Sequence, residues 1–220
     1  MISSSILSEL ISAGAYMQAN GLAWGNAGNI SARLDRDHIL ISAGGTNLGA
    51  LAEEDLVECA LQGYENQNFP RRPSKELPMH AAVYQTRPEI TAVLHGAPFH
   101  STLVACTSLE LPTDWFVEDM YYLERIARVP YCHPGSLALA EAVREKAAQA
   151  NVLLLENHGV LVCDTNLREA LMALHTLEVV CRMLVAARSA DLPMQPLQPD
   201  IVRDFIERSG YRPRRQWPQD

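Results

Sequence analysis

The chain has 220 residues, 48% of them hydrophobic and 20% charged, with a formal net charge of −8. That length supports one domain with a full core, or two small ones at most. The acidic balance excludes nonspecific attraction to DNA, RNA or an anionic membrane, each of which needs a positive field.

Cys59, Cys106, Cys132, Cys163 and Cys181 are odd in number, scattered and free of any C-x-x-C pair. Such cysteines are expected to be reduced core residues of a cytoplasmic protein. Met1 to Leu10 lacks the basic start and long apolar stretch of a signal peptide. No unbroken apolar run approaches the roughly 18 residues of a membrane span, so none is expected.

Taken in chain order, residues 4–20 place Ile6, Leu7, Leu10, Ile11, Ala13, Ala15 and Met17 at the spacing of an amphipathic helix. It stops at Asn20-Gly21, a suitable C-cap. Gly25 to Asn29 is a turn, Ile30 to Leu34 a strand, and Asp35 to Asp37 turns it into a second strand, His38 to Ser42. A flexible loop, Ala43 to Gly49, follows. Within Glu53 to Gln62 the run Leu56 to Leu61 is strand-like, and Gly63 to Pro73 is loop.

Glu76 to Thr86 has helical periodicity, with Pro78 tolerated in its first turn. Ile90 to His95 is a buried strand, and Phe99 to Cys106 a helix opened by Pro98. Leu123 to Val129 is a short helix or strand, and Pro130 to Gly135 a loop. Ser136 caps a helix from Leu137 to Ala150. Asn151 to Glu156 is a strand, with Gly159 to Cys163 as its continuation. Asn166 caps a long helix from Leu167 to Ala190. The expected organisation is one layered α/β domain over residues 1–192, with a tail over 193–220 that carries a short helix, Asp200 to Ser209.

Two segments stand out chemically. Val93-Leu94-His95-Gly96 and Leu154-Leu155-Glu156-Asn157-His158-Gly159 are apolar runs that end in histidine beside glycine. A strand end opens a rigid element into a loop, and glycine lets a ligand approach closely. With Glu76 they supply imidazoles and a carboxylate suited to a divalent metal. His80 and His175 are expected to be hydrogen-bonded core residues, and His38 a surface strand residue. Gly25-Asn26-Ala27-Gly28-Asn29 and Gly44-Gly45-Thr46 offer nests for an anion, or are ordinary turns. Neither matches a nucleotide-binding glycine pattern. Pro73-Ser74-Lys75-Glu76 adds a hydroxyl and an ammonium for a phosphate or carboxylate, or is a plain helix start.

These markers, with His80-Ala81-Ala82-Val83-Tyr84 and Glu156-Asn157-His158-Gly159-Val160, run in the order found in one family. Over residues 5–190 the chain resembles the class II aldolase/adducin family. The resemblance implies a central, mainly antiparallel sheet flanked by helices, and a homotetramer with active sites between subunits. It implies a divalent metal, most often zinc, at His95 and His158, with Glu76 as ligand and acid/base. It places the phosphate of a small anionic sugar-type substrate at Gly28, Asn29, Gly44, Gly45, Ser74 and Lys75. The implied chemistry is cleavage or decarboxylation through a metal-stabilised enediolate. A dry site is expected to raise the pKa of Glu76.

The chain departs from that pattern. The position two after His95, a metal histidine in the family, is Ala97, which cannot coordinate. His100 is the candidate replacement if Pro98 bends the loop. Phe116 stands where an aldolase tyrosine is expected, with Asp114, Glu118, Asp119, Tyr121 and Tyr122 nearby as substitutes. Lys75 stands where some members of that family carry serine. Three readings remain open: a metal-dependent lyase, a non-catalytic scaffold, and a metal-independent enzyme using Lys75 or His100. The basic tail segment Tyr211 to Trp217 is either a disordered end or a flap reaching a neighbouring subunit's site.

Overall fold

The central strands are apolar at every position except His95 and Asp164, which suits strands buried on both faces. In the computed structural model, which describes residues 3–210 and 215–217, β4 (Ala92–Gly96), β6 (Val152–Leu155) and β7 (Gly159–Asp164) have every residue buried. They join β1 (Asn29–Arg33), β2 (His38–Ser42), β3 (Leu56–Ala60) and β5 (Ile126–Val129) in one seven-stranded sheet of order β3-β2-β1-β4-β7-β6-β5. Neighbouring strands are antiparallel except β5 and β6.

Helices cover both faces. On one side α1 (Ser4–Ala19), α3 (Phe99–Ala105) and α6 (Leu167–Ser189) pack over Ile30, Ala32, Ala92, Leu94, Val160 and Val162. On the other, α2 (Leu77–Thr86) and α5 (Leu137–Ala147) pack over Ile39, Ile41, Val93, Leu153, Leu161 and Cys163. By length and composition α6 could cross a membrane, but it is a core helix here, with Leu174, Leu177, Val180 and Cys181 wholly buried. Each buried leucine or valine contributes about 1.5–3 kcal/mol before entropy is counted.

The structure corrects several sequence expectations. Gly159 to Cys163 does not continue the preceding strand. It folds back on it, with Leu155 opposite Gly159. Asn157 takes a left-handed conformation (φ 55°) and His158 N–H closes the turn onto Leu155 O at 3.1 Å. Asparagine tolerates that region better than most residues. Val117–Tyr122 forms a helix, α4, that the sequence reading does not set out, and β5 follows it. The tail carries α7 (Pro199–Arg208). Arg215 and Trp217 then dock on the chain's own surface. Tyr211 and Arg212 lie outside the described residues.

Candidate active site

Four segments converge where β1 begins and β4 ends. Gly28 leads into β1 with φ +95°, and a Cβ there would sit 2.8 Å from His95 O. A side chain would therefore push the two strands apart. Gly159 does the same for the hairpin turn, since its Cβ would meet Gly96 O at 2.6 Å. Glu76 is the N-cap of α2, where the helix dipole favours a carboxylate.

His95, His158 and Glu76 present ligand atoms that all lie within 4.8 Å of one another. His95 Nε2 stands 3.3 Å from Glu76 Oε2, and His158 Nε2 stands 3.2 Å from Glu76 Oε1. His95 Nδ1 lies 2.9 Å from Val160 O. A carbonyl only accepts, so the Nδ1–H must donate and the Nε2 of a neutral ring carries its lone pair toward the carboxylate. Two acceptors then face each other at close range, an arrangement that a cation between them resolves. Glu76 Oε1 is buried, and among the described residues it accepts no hydrogen bond. The donor set fits a divalent metal, and two imidazoles with one carboxylate are a known zinc set.

Burial alone would raise the Glu76 carboxyl. His158 and His95, when protonated in the metal-free site, and the Asn29 amide outweigh it and hold the group at about 2. The expectation of a raised value is therefore overturned: the partners of the charged form win over desolvation. Burial pushes His95 down, and Glu76 opposes that shift.

These residues line a cavity of about 690 Å³ together with Gly28, Asn29, Gly44, Gly45, Ser74 and Lys75. All the residues anticipated for substrate binding thus share one wall system with Glu76. The loops are stitched side by side by an isolated bridge between Ala43 and Pro73 and by Ser74 N–H donating to Ser42 O at 3.0 Å. Gly44 N–H is already donated to Arg72 O at 3.1 Å. The Asn29 side chain is committed too: its Nδ2 donates to Glu76 Oε2 at 2.7 Å and its Oδ1 lies 2.6 Å from His80 Nε2.

His100 is not brought to the site. Its Nδ1 lies 2.7 Å from Glu178 Oε1, and it does not line the cavity. Helix α3 starts one residue before it, so the ring turns toward α6 instead of His95 and His158. Phe116 caps α4 and packs on the core. None of Asp114, Glu118, Asp119, Tyr121 and Tyr122 lines the cavity. Asp119 accepts from Trp115 and Phe116 N–H, and Tyr121 donates to Glu169.

Trp24 and Arg72, which no motif in the sequence singles out, both line the cavity. Trp24 Nε1–H donates to Ala97 O at 3.0 Å. His80 is the hydrogen-bonded core residue expected, and its partners Asn29 and Ser31 tie it to the site. His80, Glu76 and Tyr84 recur every four residues, one stripe of α2, opposite Asn29 and Ser31 on one face of β1. That double periodicity was the available signal.

Comparison with known proteins gives the family. Residues 8–185 match the family model of the class II aldolase and adducin N-terminal domain. The chain is 32% identical to 3-oxo-tetronate 4-phosphate decarboxylase of Haemophilus influenzae, over 73% of this chain and 78% of that protein. It is 29% identical to L-fuculose phosphate aldolase of Escherichia coli over 86% of each. The crystal structure of YgbL from Klebsiella pneumoniae superposes with a TM-score of 0.81 at 29% identity, covering 93% of this chain and 99% of that one. On the match across most of its length, the chain belongs to the class II aldolase and adducin N-terminal domain family.

Proposed function

We propose that this protein is a divalent-metal-dependent lyase that breaks a C–C bond in a small phosphorylated sugar or sugar acid. The observation that carries the reading is the buried Glu76–His95–His158 cluster, whose lone pairs converge without hydrogen-bond partners for Glu76 Oε1. A zinc-like cation held there would draw electrons from a substrate carbonyl, so that the adjacent carbon can keep the pair left by the broken bond.

The chain's own residues supply the rest. Lys75 and Ser74 offer an ammonium and a hydroxyl to the substrate phosphate. Among the described residues the N–H groups of Gly28 and Gly45 have no acceptor, and they complete the anion nest. Gly44 and Asn29 shape that nest through their committed hydrogen bonds. Glu76 stays ionised and serves as ligand and as proton acceptor. Arg72, on the same cavity, suits a second anionic group on the substrate.

Decarboxylation is favoured over aldol cleavage. Aldol chemistry needs a group to exchange a proton with the hydroxyl at the cleaved bond, and among the described residues no phenol lines this cavity. Loss of CO₂ has no such need. The relatives' names supply the two probes: 3-oxo-tetronate 4-phosphate and L-fuculose 1-phosphate. Trp24 is 63% exposed, and Phe99 (73%) and Leu137 (72%) lie within three residues of cavity-lining positions. We assign this apolar rim to the contact between subunits of a homotetramer, in the reducing cytoplasm that five free cysteines suit.

The test is metal content by elemental mass spectrometry, followed by assay with both probes. Near-stoichiometric metal, lost in His95→Ala and His158→Ala, with CO₂ release from the oxo acid, is the expected result. No metal after reconstitution with zinc, manganese or cobalt would overturn the reading.

A further inference from the structure

Glu76 is held from behind by an unbroken file of buried polar groups. Asn29 Nδ2 donates to Glu76 Oε2 at 2.7 Å. Asn29 Oδ1 meets His80 Nε2 at 2.6 Å, His80 Nδ1 meets Ser31 Oγ at 2.7 Å, and Ser31 Oγ meets Tyr84 OH at 2.9 Å. His80 and Ser31 have no exposed surface, and Tyr84 is 1% exposed. Asn29 is 6% exposed where it lines the cavity, and the three members behind it are shut away from solvent, so their donors and acceptors must be matched inside the protein.

The charge on Glu76 fixes every direction in the file. A carboxylate only accepts, so the Asn29 amide must point its nitrogen at Glu76 and its oxygen at His80. An amide oxygen also only accepts, so His80 must carry its proton on Nε2. The neutral ring then accepts at Nδ1, and Ser31 O–H donates to it. Ser31 Oγ is left as acceptor for Tyr84 O–H. Burial keeps the His80 ring neutral and holds the Tyr84 phenol protonated. Arg33 lies against the Tyr84 ring at 4.9 Å and donates to Tyr84 O at 2.7 Å, which fixes the far end.

We infer that Asn29, His80, Ser31 and Tyr84 form a one-way hydrogen-bond relay that holds the Glu76 carboxylate in its ligating pose. They are positioning residues. The relay occupies Oε2 and leaves Oε1, beside His158 Nε2, without a hydrogen bond. It therefore tells the two carboxylate oxygens apart. It also ties the pose to the packing of α2 on β1, the two elements from which all its members come. Partners of this kind set ligand orientation in metal sites. The inference rests on Glu76 being a metal ligand.

The experiment is titration of metal-free protein with Co²⁺, following affinity and the visible d–d spectrum. His80→Ala is expected to weaken binding about 10–100-fold and to change the spectrum. His80→Gln can still donate to Asn29 Oδ1 and is expected to restore most of the affinity. Tyr84→Phe keeps the core volume and removes only the last hydroxyl. It is expected to weaken binding in the same direction by a smaller factor. Wild-type affinity and spectrum in both His80→Ala and Tyr84→Phe would overturn the relay. If the wild type itself takes up no cobalt, the metal reading fails instead. The relay is then judged by crystal structures of metal-free wild type and His80→Ala. Glu76 turned away from Asn29 in the variant supports it, and an unmoved Glu76–Asn29 pair overturns it.

Discussion

Arg215 grips Asp164 through two hydrogen bonds, 2.6 Å from Nη2 and 3.0 Å from Nε, and both side chains are almost wholly buried. Asp164 ends β7 at the opposite end from Gly159 and the neighbouring His158. Trp217 completes the hold, with Arg87 and Arg125 against its ring at 4.4 and 4.6 Å and its Nε1–H on Glu124. These described residues of the tail thus bind their own subunit, away from the cavity.

Arg215→Ala leaves the Asp164 carboxylate buried without its cation. A loss of about 3–5 kcal/mol is expected, read by urea denaturation. Metal content should not change. A stability within about 0.5 kcal/mol of wild type, the usual range of surface substitutions, would show that the grip contributes nothing.

Glu178 accepts four hydrogen bonds from the start of α3: His100 N and Nδ1, and Ser101 N and Oγ. Glu178→Ala strands all four donors, and a loss of about 3–5 kcal/mol is expected. His100→Ala should cost about 1 kcal/mol and leave metal stoichiometry intact. Loss of bound metal in His100→Ala would instead make it a ligand.

Stability should fall with pH in a way traceable to His80. Burial, reinforced by His95, holds its pKa at about 3 against an ordinary 6.5. The unfolded chain takes up a proton near 6.5 that the folded one refuses until about 3. The contribution is complete above pH 6.5 and is lost as pH falls toward 3, at up to about 1.4 kcal/mol per pH unit. Glu76, held at about 2, adds a loss of the same sign below its ordinary 4.5. Denaturation of chelator-treated protein at pH 7, 6 and 5 checks this. His80→Gln should flatten the slope by about one proton's worth.

Ala97 lines the cavity beside His95, and its backbone oxygen is fixed by Trp24. Ala97→His should offer a further imidazole and raise zinc affinity by at least about tenfold, since ligand count governs such sites. Competition with a chromophoric chelator measures it. Unchanged affinity would mean that the new ring cannot reach the cluster.

The strands that carry the site were legible because Ile90 to Leu94 and Val152 to Leu155 are largely apolar runs of strand length, and Glu76, His95 and His158 stand at element ends. The hairpin at Asn157 was not, because periodicity has no sign for chain reversal and asparagine in a left-handed turn looks like any loop residue. His100 misled for a similar reason. Five residues in sequence say little about direction once a helix begins at Phe99 and Glu178, far along the chain, claims the ring. The relay was hidden because its logic lies between α2 and β1, and single-segment patterns do not show which stripes will face each other. The Arg215 grip depends on partners as distant as Asp164 and Glu124, which composition reads only as a basic tail.

The three candidate ligands are divided among three places: the cap of α2, the end of β4 and the turn that opens β7. They meet only when β4 has found both β1 and β7, pairings that span long loops and form slowly. No half-built chain holds all three. A metal held by these three residues would therefore load only into molecules that have closed the middle of the sheet.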